Sequence, residues 1–151
     1  MNIEFTELQE GFIPSKEIID ILNNSSVYDY SEFLDSCSNR DILVTLEKDE
    51  IIIGFSIIEK TFGWNALVFD GNVTNTLSQY ENEEIIYIKT FEISKNYRNS
   101  GYGLYLFNDI VSKYGDINLG LLSTYNAKYF WDSLDFKDVG YSEDCTYMFR
   151  P

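Results

Sequence analysis

One six-residue segment, Arg98 to Gly103, combines a cation with two glycines at a spacing suited to binding an anion. Gly101 and Gly103 can adopt positive φ angles, and their lack of side chains lets several backbone N–H groups converge on one ligand. The apolar spacing that begins at Leu104 predicts a helix, and helix N-termini favour negative charge. We therefore expect this turn to bind a phosphate or pyrophosphate group, with Arg98 as a flanking cation.

The same two glycines are also compatible with a plain strand-to-helix connection, so their spacing alone leaves a purely structural role open. Two common phosphate-binding motifs do not fit. Leu106 occupies the place of the third glycine of G-x-G-x-x-G, and no Gly-Lys-Ser/Thr occurs. The context favours phosphate binding, because a β-rich run, Ile85–Ile93, precedes the turn and an amphipathic run, Leu104–Lys113, follows it.

The elements around this turn predict an α/β (α+β) domain with a mixed sheet. Predicted strands are Asn2–Leu8, Asp41–Glu47, Ile51–Ile58, Ile85–Ile93, Ile117–Leu122, Phe136–Val139 and Cys145–Phe149, with Trp64–Phe69 as a possible further strand. Predicted helices are Lys16–Leu22, Tyr28–Ser36, Leu104–Lys113 and Asn126–Leu134. Lys48-Asp49-Glu50 predicts a hairpin turn, and Asn72–Gln79 a loop. A length of 151 residues fits a single domain.

The net charge of the chain restricts the classes of partner that it can bind. Eleven basic and twenty-five acidic residues give a net charge of −14, which repels nucleic acids and anionic membranes and attracts cationic partners. The same acidity also serves solubility. Neither a secretion signal nor a membrane-spanning run is expected. The chain has no histidine, and Cys37 and Cys145 lie far apart, so we expect no metal site and a cytoplasmic location, with one disulfide as the alternative.

The turn resembles the coenzyme A signature R/Q-x-x-G-x-G/A of the GNAT N-acetyltransferase superfamily. The matching residues are Arg98, Asn99, Ser100, Gly101, Tyr102 and Gly103. Upstream, Phe91-Glu92-Ile93 resembles the central strand of that family. There, backbone groups beside a splayed bulge hold the thioester carbonyl and the pantetheine arm, which implies that Phe91 and Ile93 take these roles.

A downstream segment, Ala127–Phe136, resembles the later helix and strand of the same family, which implies cofactor contacts from Asn126 and Trp131. Trp131 stands where many relatives carry tyrosine, and Asp135 where they usually carry glycine. Thr124, and not asparagine, fills the position that leads into the helix.

Across residues 1–151 the resemblance implies one GNAT-like domain, with a mixed, mostly antiparallel central sheet flanked by about four helices. It implies acetyl-CoA as cofactor and transfer of the acetyl group to a primary amine of a small molecule or a protein. Such an acceptor would be cationic, and a homodimer fits the family.

Proton transfer is the least determined part of this chemistry. An alkylamine with a pKa of about 10.4 is protonated at neutral pH, so a base must remove a proton before attack. Because the chain has no histidine, we expect Glu84 or Tyr87 to act as this base. The alternative for Glu84 is an exposed surface residue with no catalytic role. Trp131 cannot act as an acid, so the thiolate would leave directly. Trp131 would then be a wall against the pantetheine arm or an ordinary core residue.

Two other classes of function stay open. One is a non-catalytic coenzyme A-binding or protein-interaction module, which the missing acid favours. The other is an acidic mimic directed at a nucleic-acid-binding protein. An acceptor pocket is expected between Asn23–Tyr30 and the long segment Gly63–Glu84, whose Glu81, Glu83 and Glu84 either hold a cation or form a solvated face.

Overall fold

The computed structural model describes residues 1–25, 29–62, 82–142 and 144–151. Several expectations therefore lie outside the described residues: the possible strand Trp64–Phe69, the loop Asn72–Gln79, the role of Glu81 and the start of a helix at Tyr28. None of the helices within these ranges is long and apolar enough to cross a bilayer.

Within the described residues, seven strands form one mixed sheet in the order β1-β2-β3-β4-β5-β7-β6. The strands are β1 Asn2–Glu7, β2 Ile42–Lys48, β3 Ile51–Phe62, β4 Glu84–Ile93, β5 Asn118–Thr124, β6 Lys137–Ser142 and β7 Cys145–Arg150. The helices are α1 Lys16–Asn23, α2 Tyr30–Ser36, α3 Tyr102–Tyr114 and α4 Lys128–Asp132. β4 and β5 pair in parallel, whereas β1–β2, β2–β3, β5–β7 and β6–β7 are antiparallel. The predicted mixed, mostly antiparallel sheet with about four helices is confirmed.

The chain divides into two compact units. The first comprises Met1–Glu59 and Lys89–Gly115, and the second comprises Lys60–Ile88 and Asp116–Pro151. That residues 1–151 form one functional domain stays a prediction.

The first unit is held by an apolar core beneath α1 and α2. Three buried residues of α1, Ile18, Ile21 and Leu22, follow helical spacing and pack with Phe33 of α2. The same cluster includes Leu8, Phe55 and Ile57. Sequence periodicity therefore predicted this part of the fold well, because a single apolar stripe is what α1 needs to pack on the sheet.

The second unit is built around β5, β7 and β6, with the first half of β4 paired to β5 from Ile85↔Asn118 to Ile88↔Leu121. Two of its strands are buried in continuous runs, residues 119–121 of β5 and residues 146–149 of β7. Both cysteines of the chain, Cys37 in the first unit and Cys145 in the second, are partly buried.

Within the described residues α2 begins at Tyr30, and the Asp29 side chain caps it by accepting the Glu32 N–H at 2.8 Å. The structure corrects the predicted bounds of the last helix. The last helix, α4, is much shorter than the predicted Asn126–Leu134. It is closed by a return of the chain in which the N–H of Phe136 bonds to the Trp131 carbonyl at 3.2 Å.

Candidate functional site

The connection from β4 to α3 is a compact turn in the first unit. After Ile93, the Ser94 N–H donates to the Ile53 carbonyl of β3 at 2.7 Å, and a short 3₁₀ helix spans Lys95–Tyr97. Two residues of the turn have positive φ, Asn99 at 61° and Gly101 at 87°. The predicted strand, glycine turn and helix are thus present in the predicted order.

α3 begins with backbone amides that no side chain in the described part of the chain caps. Its first intrahelical bond runs from the Tyr105 N–H to the Gly101 carbonyl, at 3.0 Å, so the N–H groups of residues 101–104 have no acceptor within the helix. No side chain of the described residues makes a capping bond at this end. An ideal Cβ at Gly101 meets nothing within 4 Å, so glycine is needed there for its positive φ and not for space. Exposed amides and the positive end of the helix dipole together fit an anion.

A lysine that the sequence analysis missed stands beside this helix start. Lys48, at the end of β2, places its Nζ 2.8 Å from the Tyr102 hydroxyl and 5.3 Å from the centre of the same ring. The ring centre of Tyr97 lies 5.9 Å from the same Nζ, and the Tyr97 and Tyr102 rings contact each other edge-on. The bond to Tyr102 is the main cause that raises the pKa of Lys48. Since 54 residues separate Lys48 from Tyr102, no local spacing in the sequence could have revealed this contact.

Arg98 connects the turn back to the end of β4. Its Nε donates to the Ile93 carbonyl at 2.9 Å, and its guanidinium lies 3.7 Å from the carboxylate of Glu92. The side chain is still 42% exposed. Two predicted cofactor residues, Arg98 and Ile93, are therefore in direct contact, and Arg98 keeps donors that face solvent.

Glu92 is a partly buried carboxylate that the sequence analysis noted only as part of a strand motif. Its side chain is 12% exposed, and one of its oxygens accepts the Ser25 hydroxyl at 2.8 Å. Burial raises the pKa of Glu92, while the Ser25 hydrogen bond and the charge of Arg98 oppose the rise. The sequence feature that could have drawn attention to Glu92 is its position as an acidic residue between two apolar residues at the end of a strand.

Two hydrogen bonds that involve side chains link β3 to β4 just before Phe91. The Ile57 N–H donates to the side-chain oxygen of Thr90 at 2.9 Å, and the Ser56 hydroxyl donates to the Thr90 carbonyl at 2.7 Å. These bonds lie beside the position where the family resemblance implies a bulge.

β3 and β4 also approach closely at the end that leads into the turn. A Cβ on Gly54 would lie 2.6 Å from Cδ1 of Ile93 and 3.2 Å from the Glu92 carbonyl oxygen. Gly54 is therefore required for space, and its small size sets the position of the residues that precede the turn.

The structure distributes the predicted site residues over both units. Phe91, Ile93 and the turn from Arg98 to Gly103 form one continuous stretch of the first unit. Glu84 and Tyr87 belong to the second unit. Glu84 is exposed as the first residue of β4, and its neighbour Glu83 accepts a hydrogen bond from Asn118 at 2.6 Å.

The remaining two predicted cofactor residues, Asn126 and Trp131, also lie in the second unit. Asn126 is exposed just before α4, whereas Trp131 is only 5% exposed. The indole of Trp131 packs edge-on against Phe130 and Phe136, with ring centres 4.9 and 5.3 Å away. This is the geometry that the core-packing alternative for Trp131 predicts.

Strand order, helix number and the glycine turn after the central strand together define a class of fold, that of the GNAT N-acetyltransferases. The ribosomal-protein-S18-alanine N-acetyltransferase of Escherichia coli is similar, with a TM-score of 0.65, 15% identity, and coverage of 99% of this chain and 94% of that one. The Bacillus subtilis N-acetyltransferase YlbP, in complex with coenzyme A, has a TM-score of 0.63 and 14% identity, with coverage of 99% of this chain and 96% of that one. Arabidopsis thaliana NAA60, in complex with acetyl-CoA, has a TM-score of 0.62 and 17% identity, with coverage of 99% of both chains. No family model and no curated protein matches the sequence.

Proposed function

We propose that this chain is an acetyl-CoA-dependent N-acetyltransferase that transfers an acetyl group to a primary amine. One observation carries the proposal: the residues of the coenzyme A signature coincide with a helix start whose amides no described side chain caps. The chain has the fold of proteins that were solved with coenzyme A or acetyl-CoA. An anion-binding turn in that fold is best explained by the pyrophosphate of such a cofactor.

In this proposal the turn holds the phosphates and the end of β4 holds the acyl arm. The amides of residues 101–104 bind the pyrophosphate, with Arg98, Asn99, Ser100 and Tyr102 around them. The backbone groups of Phe91 and Ile93 take the thioester carbonyl and the pantetheine arm. Asn126 and Trp131 complete the cofactor contacts, and residues 1–151 act as one domain.

The cofactor supplies an acetyl thioester. The protein must orient the acceptor amine against this thioester and must provide a group that accepts the amine proton. A neutral amine attacks the thioester carbon, whose oxygen is stabilised by a backbone N–H. The departing thiol has an ordinary pKa of about 8.5, so the thiolate can leave without a dedicated acid. Glu84 and Tyr87 are the proton acceptors that the sequence analysis proposed.

The acceptor is an amine of a small molecule or a protein. The E. coli enzyme is a ribosomal-protein-S18-alanine N-acetyltransferase, so this fold serves protein amines. A net charge of −14 favours a cationic acceptor. We further propose a cytoplasmic protein, active as a monomer or a homodimer.

A second function, coenzyme A binding without catalysis, is favoured by Trp131. This residue occupies the position of the tyrosine of many relatives, and its indole is buried between two phenylalanine rings. An indole has no acidic proton to give to a leaving thiolate.

Calorimetric titration with acetyl-CoA, followed by an assay of thiol release, separates these possibilities. We expect micromolar binding of acetyl-CoA, and release of free coenzyme A when spermidine or a lysine-containing peptide with a free N-terminus is added. Binding without release from any amine would favour the non-catalytic module. Failure of the native chain to bind acetyl-CoA would overturn both.

A further inference from the structure

Glu92 stands apart among the acidic residues of the first unit because it lies at the end of the central strand. It is the ninth residue of β4, flanked by Phe91 and Ile93. Consecutive Cα atoms are about 3.8 Å apart, so its carboxylate originates one residue from both proposed acyl-binding backbone groups. Its oxygens face the Ser25 hydroxyl, just after α1, and the Arg98 guanidinium in the turn.

We propose that Glu92 is the group that accepts the proton of the acceptor amine. The proposal rests on the proposed acetyltransferase function, because the position of the thioester follows from it. A carboxylate 12% exposed, held by one hydroxyl and a guanidinium 3.7 Å away, keeps lone pairs for an incoming ammonium group. It therefore binds the cationic acceptor and removes its proton in the same place.

Other groups on β4 fit this role less well. Glu84 is exposed at the first residue of the strand, far along it from the turn. Lys89 is committed to a structural network: its Nζ contacts Asp41 at 2.8 Å, the Ser36 carbonyl at 2.9 Å and Glu59 at 3.6 Å. The chain has no histidine that could take the proton instead.

The proposed step balances as follows. Glu92 takes one proton from the ammonium group, and the neutral nitrogen attacks the thioester carbon. A C–N bond forms and the C–S bond breaks, with the electron pair leaving on sulfur. The second nitrogen proton passes to the thiolate, and Glu92 returns its proton to solvent. The products are the acetylated amine, free coenzyme A and one proton.

The surroundings of Glu92 make it a stronger base than an exposed carboxylate. Among the described residues, Ser25 contributes a hydroxyl from just after α1 and Arg98 contributes a cation from the turn. Burial raises the pKa of Glu92, whereas the Ser25 hydrogen bond and the charge of Arg98 oppose the rise. A carboxylate with a raised pKa accepts a proton more readily than an ordinary one.

The test compares Glu92→Gln with Glu10→Gln, which makes the same chemical change at an exposed glutamate of the first unit. Glutamine keeps the size of Glu92 and can still accept the Ser25 hydroxyl. We expect Glu92→Gln to lower kcat with spermidine about 100-fold or more, with the Kd for acetyl-CoA changed less than threefold. Glu10→Gln should leave both values unchanged.

The pH profile and a second acceptor distinguish a base from a residue that only positions Arg98. In the native chain kcat should rise with pH through the raised pKa of Glu92, and Glu92→Gln should lose that rise. An amine of low pKa, which is neutral at the assay pH, should restore much of the lost rate in Glu92→Gln.

Two results would overturn the role of Glu92 alone: native kcat in Glu92→Gln, or a weaker Kd for acetyl-CoA with an unchanged pH profile. If the native chain binds acetyl-CoA but releases no thiol with any amine, the acetyltransferase function fails, and the role of Glu92 fails with it.

Discussion

The two longest described helices of the first unit start in opposite ways. α1 is closed by its own sequence: the Ser15 side chain accepts the Ile18 N–H at 3.4 Å, and Glu17 lies in the first turn. α3 starts at Gly101 with no capping side chain among the described residues and no acidic residue in its first turn. The contrast shows that a chain able to cap α1 with a side chain leaves the start of α3 open, and a bound anion would complete α3.

The charged residues near the starts of α1 and α3 differ in the same way. The chain is strongly acidic, yet Lys48 lies against the first residue of α3 and Arg98 precedes it. α1 has an acidic residue where α3 has none, and this is the usual arrangement for a helix that needs no external anion. Four substitutions test how far the difference reaches.

The largest effect is expected from Gly101→Val. Valine resists the φ of 87°, so the amides of the turn would move apart although the side chain meets open space. We expect the affinity for acetyl-CoA to fall at least 100-fold by calorimetry. Gly11→Val is the matched control, because Gly11 has a φ of 79° and equally open surroundings. Equal loss of affinity in both variants would show that the turn has no special role.

A smaller loss is expected from Lys48→Met. This change removes the cation beside Tyr102 and should weaken acetyl-CoA binding about fivefold at low salt, with a smaller difference at high salt. Lys16→Met removes the same charge at the start of α1 and should have no effect on binding. An affinity that is insensitive to Lys48→Met at every salt concentration would place the phosphates elsewhere.

Ser15→Ala removes the cap of α1 and tests the closed helix. Loss of such a cap costs about 1 kcal/mol, which for a chain of this size lowers Tm by about 2–4 °C. Thermal unfolding followed by circular dichroism measures the change. Binding of acetyl-CoA should be the same as in the native chain, and a weakened Kd would contradict the division between the two helix starts.

The smallest effect is expected from Asp135→Gly at the other end of a helix. Asp135 has a φ of 68° where α4 closes through the Phe136 to Trp131 bond. Glycine adopts this angle without strain, so the variant should be more stable by up to about 1 kcal/mol. Chemical denaturation measures the gain. A loss of stability would show that the Asp135 side chain makes a contribution larger than its strain.

The sequence could predict what depends on local pattern. The apolar stripe of α1, the hairpin at Lys48-Asp49-Glu50 and the strand, turn and helix around Gly101 all depend on residues close together in the chain. The same kind of local pattern did not predict where α4 ends. The chain reverses direction at Asp135, which has positive φ, whereas glycine usually marks such a helix end.

The contacts that shape the candidate site were not predictable in this way. Ser25 and Glu92 are 67 residues apart, and Lys48 and Tyr102 are 54 apart. No periodicity connects such positions, since only the sheet order brings them together. The partial burial of Glu92 was equally unpredictable, because one acidic residue in a strand sequence does not indicate which other residues cover its side chain.

The packing of Trp131 gives the protein a built-in optical probe. The chain has two tryptophans; one is Trp131, buried against Phe130 and Phe136, and the other, Trp64, lies outside the described residues. In a Trp64→Phe background, the emission of a single indole would report on α4 and its closing turn. A red shift of that emission would follow the opening of this cluster.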